Sequence, residues 1–188
     1  LAENFIAGDT VALILGDNIF YCDNLPQLLL PAVNLKEGAH IFAYHVQHPE
    51  NYGVAAFNQE GQLIDLVEKP KSIPSQWAIT GIYFYDAKVA HYAKLLQPSG
   101  RGELEITDLS REYLKRKQLK LSYFPRGAAW LDTGTFDGML EAAHFVQVLE
   151  KRQGLKIACP EEVAWRKGFI NDKQLLLLAE KTQKSGYG

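Results

Sequence analysis

Apolar residues recur along this chain with two different periods. Short apolar or alternating runs, bounded by Gly, Pro, Asn or Asp, predict strands over residues 11–15, 40–46, 54–58, 63–68, 77–85 and 119–124. Between them the apolar spacing lengthens to that of a helix, over residues 25–34, 87–96 and 106–116. Strands interleaved with helices of this kind predict an α/β layer fold. The stretch "FNQEGQLI" joins two strand candidates through Gly61, which reads as a hairpin, so the sheet is expected to be mixed.

Beyond residue 137 the strand period disappears. Met139, Leu140, Ala143, Phe145, Val146 and Leu149 mark an amphipathic helix over residues 138–153. A second helix opens with Pro160 in its first turn, and "DKQLLLLAEKTQK" supplies a third. The expected division is a core at 1–137 and a C-terminal helical subdomain at 138–188, the latter a cap on the sheet or an interface for another subunit. The opening "LAENFIAGDT" resembles the tail of an amphipathic helix without a cap, giving the expectation that the chain starts inside a larger fold.

Composition narrows the function classes. With 47% hydrophobic and 22% charged residues, the 188-residue chain is of ordinary globular type. Twenty basic against 22 acidic residues leave a net charge of −2, which argues against a broad nucleic-acid or membrane-surface partner. A few well-placed cations still suffice for a phosphate. Cys22 and Cys159 lack metal-type or redox-type spacing, so the expected setting is reduced and cytoplasmic. No run reaches the roughly 20 apolar residues of a membrane helix.

Candidate chemistry begins at "LGDN", where an apolar strand ends on Asp17. Ligands of open α/β sheets collect beyond the carboxyl ends of strands, although an Asp there also serves as a plain turn or helix cap. "GAAWLDTGT" repeats the pattern, ending a second short apolar run on Asp132. Two carboxylates from separate segments suit Mg²⁺, a hard ion that takes one or two protein carboxylates plus waters and phosphate oxygens. Groups for a sugar phosphate follow. In "VEKPK", Glu68 can accept from vicinal hydroxyls and Lys69 can meet a phosphate. In "SGRGELEITD", Arg101 between two glycines can approach a phosphate bidentately. Gly53 in "NYGV" admits a ligand close to the backbone. Each of these alone is equally a solvated surface group or a turn residue. No G-x-S-x-G elbow occurs, and the five histidines offer no third ligand for zinc.

Taken together, "LGDNIFY", "NYGV", "VEKP", "TGIYFYD", "RGELEITD", "WLDTGT" and "RQGLKIACPEEVAWRKGFI" resemble, in order and spacing, the bacterial glucose-1-phosphate thymidylyltransferases, or dTDP-glucose pyrophosphorylases. The resemblance covers nearly the whole chain. It implies a Rossmann-like mixed sheet of the nucleotidyltransferase type, lacking its N-terminal strands, with the helical subdomain behind it. It also implies the reaction of dTTP with a sugar 1-phosphate to give dTDP-glucose and pyrophosphate. In that reading Asp17 and Asp132 hold Mg²⁺, Lys69 and Arg101 the sugar phosphate, and Glu68 and Gly53 the sugar. Tyr52, Ile79, Thr107 and Trp130 line the pocket, and the assembly is a homo-oligomer, a tetramer in the family. The attacking phosphate oxygen is already ionised at neutral pH, so alignment and charge neutralisation rather than a general base are expected to dominate.

Two departures stand out. The loop "FYCDNLP" has Cys22 and Asp23 where the family has a Gly and a His, which touches a regulatory nucleotide site in relatives. The family's Gly-rich loop G-G-x-G-T-R-L, which wraps the triphosphate, occurs nowhere in these 188 residues. The expectation is therefore a chain equivalent to the C-terminal two thirds of the enzyme, inactive alone and leaving apolar sheet edges uncovered. The competing reading is a non-catalytic truncated paralogue that binds sugar phosphate or pairs with a full-length subunit.

Overall fold

The computed structural model describes residues 2–185 and 187. The chain divides into two compact units, Leu1–Asp132 and Thr133–Gly188.

In the first unit a short helix α1 (Glu3–Ile6) precedes strands β1 (Val11–Ile14) and β2 (Asn18–Tyr21). Helix α2 (Leu25–Val33) and β3 (Ala39–His45) follow, then a 3-10 turn at Pro49–Asn51. The hairpin β4 (Gly53–Phe57) and β5 (Leu63–Glu68) leads to the long β6 (Trp77–Tyr85). Helices α3 (Val89–Leu95) and α4 (Ile106–Lys115) and strands β7 (Leu119–Tyr123) and β8 (Ala129–Asp132) complete it. The hairpin forms where the sequence predicts it, with Gly61 in a left-handed turn at φ 77° that favours a residue without a Cβ.

The main sheet runs β5-β4-β6-β3-β7, with β1 attached to β6. Among the described residues only β3 and β7 pair in parallel; the remaining neighbours are antiparallel, so the sheet is mixed. Strand β6 is buried along almost its whole length and carries both faces of the core. Ile79, Tyr83 and Tyr85 pack with Leu66, Leu109 and Tyr113 on the face covered by α4. Ile82 and Phe84 pack with Ala32, Phe42 and Phe124 on the other. Burying side chains of this size is the main source of stability, at about 1.5–3 kcal/mol each.

One irregularity of the sheet positions the site. Along a single edge of β6, β1 pairs with Ile82–Tyr85 and β4 pairs at Ala78, so two strands lie end to end with a break between them. β1 ends at that break and β4 begins there. The segment leaving β1 turns away from the main sheet and pairs instead with β8, forming a separate two-stranded ladder.

The second unit consists of α5 (Phe136–Gln153), α6 (Pro160–Arg166) and α7 (Asp172–Glu180). Thr135 caps α5 by accepting from the Gly138 N–H, and Gly154 ends it in a left-handed turn at φ 70°. Asn171 and Gln174 form a reciprocal capping box on α7, and the Trp165 indole donates to Asp172 at 2.7 Å. Among the described residues, no helix is long and apolar enough to cross a membrane.

Candidate active site

The β2–β8 ladder decides the relation between the two acids. Asn18 pairs with Asp132, Ile19 with Leu131 and Phe20 with Trp130. Asp17 directly precedes Asn18, so two residues 115 positions apart in the chain emerge at the same end of one ladder, within a residue of register. Paired residues of an antiparallel ladder have Cα atoms about 4.5–5.5 Å apart. The donor set at this end, two carboxylates, is hard oxygen and fits Mg²⁺ or Mn²⁺ rather than zinc or copper. Among the described residues there is no cluster of three or more His, Cys, Asp or Glu suited to a metal. A cation that also binds phosphate and water needs no such cluster.

The second group of residues assembles on the α4 side of the sheet break. Gly53 opens β4 opposite Glu68 at the end of β5. The Thr107 hydroxyl, in the first turn of α4, donates to Glu68 Oε2 at 2.5 Å and fixes that carboxylate. A Cβ on Gly53 would lie 2.7 Å from Thr107 Oγ1, so only glycine lets β4, β5 and α4 meet here. Lys69 follows β5 in a left-handed backbone conformation, φ 41°, while its N–H donates to Tyr52 O at 2.9 Å. That conformation is costly for a residue with a side chain, and it turns the chain sharply as β5 ends. Among the described residues the Lys69 ammonium has no ion-pair partner.

Arg101 is held differently. Its guanidinium donates to Glu103 at 2.7 Å and reaches Glu105 at 3.3 Å, and Glu105 also accepts from the Ser99 hydroxyl at 2.8 Å. Hydrogen bonding to Glu103, with the fields of Glu105, Glu103 and Glu68, raises the Arg101 pKa above its ordinary value. Glu103 is exposed and Glu105 nearly buried, so the Glu103 contact is open to exchange while Glu105 keeps the guanidinium oriented.

Aromatic rings line the remaining side. The Tyr52 and Trp130 ring centroids are 4.9 Å apart, and Tyr44 meets Trp130 edge-on at 5.9 Å. Ile79 lies on β6 facing α4, 8% exposed and packed into the core cluster.

Four further residues belong to the arrangement although the sequence reading did not single them out. Asn18 bonds to Asp17, Gly81 and Trp130. Gly81 is the residue whose Cβ would meet Asn18 Oδ1 at 2.4 Å. Glu105 orients Arg101. Tyr83 shares the face of Glu68; burial, reinforced by Tyr85 and Glu68, holds its phenol well above the usual range, so it stays a proton donor. The signal for Asn18 was present in the sequence, as a polar residue opening an apolar strand at "DNIFY".

The profile of nucleotidyl transferases matches residues 1–148. The chain belongs to the nucleotidyl transferase family. Within that family it is 48% identical over all 188 residues to a glucose-1-phosphate thymidylyltransferase of Neisseria meningitidis and 50% identical to one of Mycobacterium tuberculosis. The chain spans 65% of the length of each. A solved Bacillus anthracis structure, described as a glucose-1-phosphate thymidylyltransferase in complex with a sucrose, superposes with a TM-score of 0.67 at 42% identity. That likeness covers 77% of this chain and 57% of the other. A UDP-glucose pyrophosphorylase complexed with UDP-glucose gives a TM-score of 0.64 at 25% identity, covering 77% of this chain and 58% of that one. The mixed α/β sheet of this nucleotidyl transferase chain is thus that of its family.

Proposed function

We propose that this chain carries the cation-binding and sugar-phosphate-binding part of a glucose-1-phosphate thymidylyltransferase, acting in the cytoplasm within a homo-oligomer. The reaction forms a bond between a glucose 1-phosphate oxygen and the α-phosphorus of dTTP, breaks the bond from that phosphorus to the β-phosphate bridging oxygen, and releases pyrophosphate and dTDP-glucose. The observation that carries the reading is the β2–β8 pairing, which brings Asp17 and Asp132 to one end of a ladder. The relatives' printed activity and the family match support it.

Asp17 and Asp132 would hold the Mg²⁺. When bound, the ion neutralises charge on the phosphate oxygens and aligns the two reactants. The side chains do the rest. Lys69 and Arg101 draw in the sugar phosphate, one as a point charge and the other as a planar fork. Glu68, with one oxygen occupied by Thr107, keeps its other oxygen for sugar hydroxyls, and Gly53, lacking a Cβ, lets Thr107 and Glu68 close up beside the sugar. Tyr52 and Trp130 offer flat apolar surface to the sugar, with Ile79 beneath the pocket. No side chain is required as a base, because the nucleophile is already an anion. Exposed apolar side chains on α5, among them Phe136, Met139 and Leu140, support self-association.

Calorimetry with glucose 1-phosphate and Mg²⁺ tests the reading. Binding is expected in the micromolar to millimolar range typical of enzyme substrates, weakened in Asp132→Asn and Arg101→Ala. Absence of binding by the folded chain, or binding indifferent to both substitutions, would contradict it.

A further inference from the structure

The break in the edge of β6 leaves backbone groups that no strand covers. Leu15 still donates its N–H to Gly81 O at 2.9 Å, but the Gly81 N–H, pointing to the same edge, has no strand partner. A side chain takes that place. Asn18 Oδ1 accepts from Gly81 N at 3.1 Å and also from the Trp130 indole Nε1 at 2.6 Å. On its other side the same carboxamide donates from Nδ2 to Asp17 Oδ1 at 2.8 Å. One planar group therefore ties the main sheet, the β2–β8 ladder and an acidic side chain at the mouth of the site.

We infer that Asn18 is a positioning residue for the proposed reaction, setting the Asp17 carboxylate and the Trp130 indole in one fixed relation through a single carboxamide. Four features carry this. Both acceptor lone pairs of Oδ1 are used, which removes the ambiguity over which end of the amide is oxygen, because only an oxygen accepts from two N–H donors. The donor end is thereby directed toward Asp17, whose carboxylate oxygen accepts. Gly81 has no Cβ, and one would stand 2.4 Å from Asn18 Oδ1, so the backbone of β6 is shaped around the carboxamide. Finally, Asn18 pairs across the ladder with Asp132, so its backbone fixes the second acid while its side chain fixes the first. Asp would repel Asp17, and a longer Gln would not fit the distance between Gly81 and β8.

The inference rests on the reading of Asp17 as a cation ligand, and its test separates the two. Mn²⁺ affinity, measured by electron paramagnetic resonance as loss of the free-ion signal, is compared in the wild type, Asp17→Asn, Asn18→Ala and Gly81→Ala. In parallel, ¹⁵N spectra follow the indole N–H resonances of the three tryptophans, Trp130→Phe assigning the one in question. The expected result is a loss of about fivefold or more in Mn²⁺ affinity in both Asn18→Ala and Gly81→Ala. The Trp130 indole resonance moves and exchanges its proton about tenfold faster in both. If Asp17→Asn weakens Mn²⁺ binding but Asn18→Ala stays within about twofold while the indole resonance has moved, Asn18 does not position Asp17, and the proposed function stands. If Asp17→Asn leaves Mn²⁺ affinity unchanged, the cation reading fails and this inference with it. Should both substitutions unfold the chain, the wild-type spectrum decides: the Asn18 carboxamide protons are expected to exchange slowly and to lose that protection in Asp17→Ala. Exchange as fast as at the exposed Asn51 side chain would overturn the inference.

Discussion

Gly53 and Thr107 meet so closely that a Cβ on Gly53 would lie 2.7 Å from the threonine hydroxyl oxygen and 3.1 Å from Glu68 Oε2. The hydroxyl is itself hydrogen-bonded to that carboxylate. An added methyl group therefore has to push apart a half-buried, hydrogen-bonded pair rather than a flexible chain end. Gly53→Ala is expected to cost about 1–3 kcal/mol of stability, read by thermal or denaturant unfolding. It is also expected to weaken glucose 1-phosphate binding about tenfold by turning Glu68 away. Wild-type affinity in a variant with lowered stability would show that the pair serves the fold alone.

Lys69 and Arg101 are expected to differ in a measurable way. A charge-assisted hydrogen bond is worth about 1.5–3 kcal/mol, so Lys69→Ala and Arg101→Ala should each weaken glucose 1-phosphate binding about ten- to a hundredfold. Neither should affect the weak binding of unphosphorylated glucose. Because Glu103 occupies part of the Arg101 fork, Glu103→Gln is expected to tighten sugar-phosphate binding by freeing the guanidinium. Calorimetry with the two ligands reads all three variants. Weaker binding in Glu103→Gln would mean that Glu103 assists rather than competes.

His40 makes stability sensitive to mild acid. It is 3% exposed on β3, stacked on Phe42 and bonded through Nε2 to Ser122 Oγ at 2.7 Å, while Nδ1 has no hydrogen-bond partner. Burial, with a smaller contribution from Lys120, lowers its pKa below the ordinary 6.5. Below 6.5 the unfolded chain binds a proton that the folded chain resists, so stability falls as pH drops from that value toward the folded pKa. The lowered carboxylates Glu112 and Glu150 act only further down, below their ordinary 4.5. Unfolding midpoints between about pH 6.5 and 5 are expected to decline in the wild type and to flatten in His40→Gln, which keeps a donor for Ser122. An equal decline in both proteins would place the sensitivity elsewhere.

The strands of the main sheet were legible because each is long enough to show its period and is bounded by turn residues. β5 and β6 run over the predicted residues, and β4 starts one residue earlier, at Gly53. β2 was not legible. "NIFY" is four residues long, half-buried throughout, and follows β1 after a three-residue turn, so it reads as the end of the preceding run. Its partner β8 appeared only as a short apolar stretch before Asp132, without its pairing. Ladder formation between segments so distant in sequence depends on tertiary contacts that local pattern cannot carry. The same limit applied to Asn18 and Gly81. A polar residue and a glycine acquire their roles only where β1 and β4 leave a gap along β6. By contrast, Asp17, Glu68 and Arg101 were legible as candidates, since a charged residue at the mouth of an apolar run or between glycines stands out without any fold.

The proposed function has Asp17 and Asp132 share one divalent cation. Titrating ¹⁵N-labelled chain with substoichiometric Mn²⁺ tests it most directly, because paramagnetic broadening reports which amides lie near the bound ion. Amide signals of residues 17–18 and 132–133 are expected to vanish first and together, and Asp132→Asn is expected to abolish the effect at both places. Broadening confined to one of the two segments, or centred on another part of the chain, would contradict it.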